Sequence, residues 1–138
     1  MKRLFIFFAF ALVSCSGDDD PTYYPPVNTE THDFNPPSWL IGLWLNSDSG
    51  ANSGFRVKEH NLIATTVSGA YADYQALIDM QRTIDAESAY TDELVISDTE
   101  YHVQIYIGHV ETDLHFVKLS PTTYKMMNGP LIFTKQAE

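Results

Sequence analysis

A mainly β domain, an antiparallel meander of eight strands with one helix inserted after the third, is the fold class this chain predicts. Three observations carry it. From Trp39 onward, short apolar segments recur with turn-forming residues between them. Asn128-Gly129 is the strongest short hairpin signal in the chain. Only one stretch, residues 69–85, departs from strand texture for helical spacing.

The elements follow in order. Leu43-Trp44-Leu45-Asn46 is a short apolar segment that runs into the turn formers of residues 46–50. Phe55 to Lys58 alternates apolar and polar, Glu59-His60-Asn61 makes a turn, and residues 62–67 return. In residues 69–85, Ala70, Tyr71, Tyr74, Leu77, Ile78, Gln81 and Ile84 fall near helical spacing, with Ser68 as the N-cap. Tyr71, Tyr74, Ile78 and Met80 are read as the buried stripe of a covering helix. Five further strands follow: Glu93 to Ser97, Tyr101 to His109, Leu114 to Leu119, Thr122 to Met127, and Leu131 to Lys135.

Two registers can be proposed. A three-residue loop at Glu111-Thr112-Asp113 pairs Ile107 with Val117 and Ile105 with Leu119, giving Tyr101, Val103, Ile105 and Ile107 one common face. A type I′ turn at Asn128-Gly129 pairs Met126 with Leu131 and Tyr124 with Phe133. Closure into a barrel would remove exposed edge strands. An open antiparallel sheet capped by the helix fits the same pattern.

The first thirty-eight residues are of a different kind. Met1-Lys2-Arg3 is basic, residues 4–13 are unbroken apolar, and Leu12-Val13-Ser14-Cys15 ends the run on the sole cysteine. Ten apolar residues are too few to span a bilayer as a helix, so the segment reads as a secretory signal over residues 1–14. Residues 15–38 read as a tether: Asp18-Asp19-Asp20 is followed by five of the seven prolines. Such chain favours extended conformations and reaches up to about 70 Å. The folded domain is then residues 39–138.

Composition excludes some functions. The net charge is −10, and without residues 1–14 six basic residues face eighteen acidic ones, a formal −12. A chain so acidic is repelled by phosphate backbones, which argues against nucleic-acid binding. Ser and His abound, yet there is no Gly-x-Ser-x-Gly elbow, so no catalytic residue or cofactor is assigned and a non-enzymatic, monomeric protein is expected. In the register above, His109 and His115 oppose each other with Glu111 and Asp113 in the loop. Two imidazoles and a carboxylate suit zinc, but a histidine pair at a strand end is more often polar rim, and no metal ligand is assigned. His102 falls on the face opposite Ile105.

Four resemblances add to this reading. Leu-Val-Ser-Cys resembles the lipobox of bacterial lipoproteins, which implies cleavage before Cys15 and acylation of that residue. The acidic run after it resembles the export signal of surface-exposed lipoproteins in Bacteroidetes-type bacteria. Together they imply a lipid anchor in the outer membrane, with the domain at the cell surface or on the periplasmic face. Trp39-Leu40-Ile41-Gly42-Leu43-Trp44 resembles the opening of small lipocalin-like, calycin-type lipoproteins. That resemblance implies a barrel whose closed end is packed by Gly42 and Trp44, with Lys135 over the tryptophan ring. The same text is similar to the opening of the avidin group, but no tryptophan follows Trp44 to cage a ligand.

A small barrel has room for one ligand or for its own side chains. The inward set is expected to be Phe55, Val57, Tyr101, Val103, Ile105, Val117, Tyr124 and Met126. If they line a cavity, the domain binds a small apolar or amphipathic ligand. If they fill it, the domain acts through contact with an envelope protein or a glycan.

Overall fold

The computed structural model describes residues 32–46, 53–65 and 71–137. The expected signal segment, Cys15, the acidic run, the rest of the tether up to residue 31 and the expected cap Ser68 lie outside them. Nine strands form one antiparallel sheet: β1 (Gly42–Asn46), β2 (Gly54–Lys58), β3 (Asn61–Thr65), β4 (Tyr71–Asp73), β5 (Ala89–Ile96), β6 (Glu100–Ile107), β7 (Val110–Ser120), β8 (Thr123–Met126) and β9 (Ile132–Lys135). Helix α1 (Tyr74–Arg82) stands between β4 and β5. The sheet order is β4-β3-β2-β1-β9-β8-β7-β6-β5. Two meanders are thus joined where the first strand pairs with the last, Trp44 opposite Lys135.

The sheet curls into a half-barrel and does not close on itself among the described residues; β4 and β5 are its edges. Helix α1 touches β3 and β4 on one side and β5 and β6 on the other, so it bridges the gap that a closing ladder would have filled. Strand alternation explains the core. Tyr101, Val103 and Ile105 on β6 and Leu114 and Phe116 on β7 point inward, with Val57, Leu62 and Trp44 from the first meander. Ile78 of the helix packs onto this layer from the open side.

The count of nine corrects the expected eight, and the helix follows the fourth strand. Residues 71–73 pair with Ile63 to Thr65 before the helix begins. The helix starts where its cap is held. Asp73 accepts from the Ala76 amide at 3.1 Å, and Asn61 Nδ2 donates to the same carboxylate at 2.8 Å. A fixed acceptor at the first turn satisfies an amide the helix cannot satisfy itself. Past Arg82 the chain turns back through Thr83, whose amide donates to Met80 O. Met80 is 58 % exposed, which corrects its place in the buried stripe. It stands two residues, about 200° of helix rotation, from the buried Ile78.

The β6–β7 register is also corrected. The turn is Gly108-His109, not residues 111–113, so Ile107 pairs with Val110, Val103 with Leu114 and Tyr101 with Phe116. Gly108 has φ +62°, the left-handed region glycine enters freely, and it occupies the first central position of a two-residue turn of type II′ character. The polar residues Glu111 and Asp113 are the outer face of a strand rather than a loop. At β8–β9 the pairing of Tyr124 with Phe133 is as expected. The turn differs: neither Asn128 nor Gly129 has a positive φ, so the connection is a wider loop than type I′.

Finally, the domain begins earlier than residue 39. Residues 31–138 form one compact unit, and Phe34 is fully buried in the core. The proline-flanked stretch before Trp39 is therefore part of the fold, from His32 on.

Candidate functional site

Three places in the molecule bear on function: the interior, the junction of β1 with β9 around Trp44, and the outer face of β5 to β7.

The interior is occupied by aromatic rings in a continuous chain. Trp44 meets Tyr124 edge-on at 5.0 Å, Tyr124 stacks on Phe133 at 4.9 Å and meets Phe116 at 5.3 Å. Phe116 in turn touches Phe55 at 5.3 Å and Tyr101 at 6.1 Å. Centroid separations of this size are those aromatic pairs favour. Of the expected inward set, Val57, Tyr101, Val103, Ile105 and Tyr124 are buried, and Phe55 and Met126 pack half-buried against them. Val117 is the exception. It pairs with Glu100 rather than Ile107 and faces outward, because reversal at Gly108-His109 shifts the β6–β7 pairing by an odd number of residues and so flips the parity of β7. No pocket occurs among the described residues.

Two phenols in this interior are driven far from ordinary behaviour. Burial raises the Tyr124 hydroxyl, which has no hydrogen-bonding partner among the described residues. Burial and then the nearby carboxylate raise Tyr101, whose hydroxyl donates to Glu93 at 2.6 Å. Both stay protonated throughout the physiological range, and neither is poised for proton transfer.

Where β1 meets β9, Trp44 is fully buried and donates its indole N–H to Leu40 O at 2.7 Å. The Lys135 ammonium stands 5.3 Å from the Trp44 ring centroid. Gly42 makes this possible: it has φ +135°, and a Cβ there would come within 2.8 Å of Lys135 Cε. A second cation–aromatic pair, Lys118 over Trp39 at 5.7 Å, lies where Trp39 donates to Ser97 O.

The segment His32 to Asn35 locks the open side. Asp33 receives both terminal nitrogens of Arg82 at 2.7 and 2.6 Å and Gln75 Nε2 at 2.8 Å. Burial would raise its carboxyl, but Arg82 and Gln75 outweigh that and hold it below its ordinary value. Thr91 donates to Asp33 O, and Glu93 accepts from the amide and side chain of Asn35. His32 stacks on His60 at 3.5 Å. Helix, edge strand and the β2–β3 turn are thus tied together by a segment that composition alone marks as a linker.

On the outer face, the histidine arrangement differs from expectation. His109 sits in the turn, and His115 pairs instead with His102, rings stacked at 4.3 Å and 6°. His102 Nε2 lies 2.6 Å from Asp113 Oδ1, and His115 Nε2 lies 3.5 Å from Glu100 Oε2. The hydrogen bond from His102, with Asn128 as a further donor, holds Asp113 below the usual carboxylate range. The two imidazoles reach for carboxylates at opposite diagonals, so they do not converge on one point, and no metal-holding group occurs among the described residues. Beside them Tyr90 and Tyr106 stack at 4.6 Å, with Tyr106 donating to Gln104 at 2.9 Å. Sequence reasoning missed this pairing because it requires the Gly108-His109 turn; that Gly-x dipeptide was the available signal.

Comparison of the chain with protein families, curated proteins and solved structures found no match in any of the three.

Proposed function

We propose that the chain is a lipid-anchored, non-enzymatic envelope protein whose small β domain has a filled core and works through its surface. The single observation that carries this over a ligand-carrying barrel is the unbroken chain of rings from Trp44 to Tyr101. Five of the largest side chains, Trp44, Tyr101, Tyr124, Phe34 and Phe116, are fully buried, so the half-barrel is packed like any protein interior. The arrangement of Gly42, Trp44 and Lys135 supports kinship with lipocalin-like barrels at the closed end, with the capacity for cargo given over to side chains. Anchoring rests on the lipobox at Cys15. Two or three acyl chains, each buried methylene contributing about 0.8 kcal/mol, hold an acidic domain that anionic headgroups would repel.

The test is native mass spectrometry of the full-length Cys15→Ala chain after incubation with an envelope lipid extract. The filled-core reading expects the bare polypeptide mass under conditions where a lipocalin keeps its ligand. A retained mass of a few hundred daltons, on the order of one lipid, lost on denaturation, would restore the ligand-binding reading.

A further inference from the structure

The stacked tyrosines on the outer face of β5 to β7 belong to a sheet face that no element of the described chain covers. In register, Tyr90 pairs with Tyr106 and Tyr106 with Glu111; one rung along, Asp92 pairs with Gln104 and Gln104 with Asp113. Tyr90 remains 49 % exposed although its ring is stacked. The Tyr106 hydroxyl is committed to Gln104, so that ring is held in place rather than free to turn.

The carboxylates around this pair are not alike. Asp113 is engaged by His102 and Asn128, and Glu100 faces His115. Glu111, opposite Tyr106 in the ladder, and Asp92, one rung along from Tyr90 on β5, are exposed and have no hydrogen-bonding or ionic partner among the described residues. Four carboxylates thus share the face with Lys125 at its margin, opposite Val117. Exposed ring faces carry negative potential, and two unengaged carboxylates beside them add to it. Arginine suits such a place: its planar guanidinium stacks on an aromatic face while its N–H groups reach a carboxylate. The negative charge of the whole chain, −10, would steer a cationic partner toward it.

We propose that this face is a docking site for an arginine-bearing basic segment of another protein, with guanidinium groups set beside the Tyr90–Tyr106 stack against Asp92 and Glu111. The inference deepens the surface-contact reading above and rests on it.

The test titrates the full-length chain by calorimetry with a peptide of alternating arginine and glycine. The comparison peptide carries citrulline in place of arginine, which keeps the shape and removes the charge. Binding of the arginine peptide is expected to weaken about tenfold or more in the Asp92→Asn, Glu111→Gln double variant, as loss of charge-assisted hydrogen bonds implies. Tyr90→Ala should weaken it as well. Glu87→Gln with Asp98→Asn removes the same charge from exposed positions elsewhere, and about twofold or less is expected from screened surface charge. Equal losses in the two double variants would overturn the proposal, since only overall charge would then matter. Absence of binding to the unaltered chain, or equal binding of the citrulline peptide, would overturn it too. So would displacement of the arginine peptide by a neutral oligosaccharide, which would mark the tyrosines as a sugar platform. A lipid retained in the mass-spectrometry test would remove the filled-core reading but leave these titrations unchanged, so the two failures are distinguishable.

Discussion

Replacing Phe34 by alanine separates the structure from the composition more sharply than any other single change. Phe34 lies two residues before Pro36-Pro37, in a stretch whose texture is that of a linker. As linker it would contribute nothing to stability. In the fold its side chain is fully buried, and the backbone around it is held independently by Asp33 to Arg82, Asn35 to Glu93 and Phe34 O to His60. The segment therefore stays in place when the ring is removed, and a cavity remains. Phenylalanine-to-alanine changes of that kind cost about 3–5 kcal/mol, against a total of about 5–15 kcal/mol for a domain. For a unit of roughly 110 residues this lowers the melting temperature by about 13–22 °C. Urea unfolding followed by far-ultraviolet circular dichroism measures it. Phe34→Leu, which refills most of the space, should lose about 1.5 kcal/mol or less. A loss below about 1 kcal/mol for Phe34→Ala, with the denaturant slope unchanged, would show that the ring is not part of the core and would refute the reasoning.

Four further outcomes are expected. Trp44→Ala should cost about 3–5 kcal/mol in the same assay, since it empties the core where β1 meets β9; a loss under about 1 kcal/mol would place the ring at the surface. Asp33 has a folded-state carboxyl held below its ordinary value of 3.8, so it stabilises the fold above that value and the contribution fades as pH falls through the lower folded one. As pH falls below about 4 the unaltered chain should therefore lose more stability than Asp33→Asn, and parallel urea midpoints would contradict the clamp. Gly108→Val places a β-branched residue at φ +62° and should cost about 1–2 kcal/mol or more from backbone strain alone; a neutral result would mean that the turn is of another type. Cys15→Ala should abolish incorporation of labelled fatty acid in cells, and labelling that persists would remove the lipoprotein reading.

Local signals located most elements of this fold. The recurring apolar segments identified eight of the nine strands, and the alternation on β6 placed Tyr101, Val103 and Ile105 on the core side, because a strand half-buried on one face must alternate. The Tyr124–Phe133 register was legible because a short hairpin leaves little freedom in how its arms meet. The strongly acidic balance, the apolar run of residues 4–13 and the single cysteine are likewise properties of the chain itself.

Other features depend on what comes from far away in sequence. The β6–β7 turn could not be chosen by composition, since Glu-Thr-Asp has better turn chemistry than Gly-His. What decides is that Leu114 and Phe116 reach the core only if the chain reverses at Gly108. That same reversal puts Val117 outside, stacks His102 on His115 and leaves Tyr106 beside Glu111. Residues 71–73 follow the ladder of β3 rather than their own helical spacing, because Asn61 holds the cap at Asp73 and not at the expected Ser68. The membership of Phe34 in the core is set by Arg82, Thr91, Glu93 and His60, all at least 26 positions away in sequence from the residue each one holds. Sequence determined the class of structure and the acidic character of the chain, because alternation, turns and charge are local. Whether the half-barrel is hollow or filled was decided by tertiary structure alone, because it depends on how rings from distant strands meet.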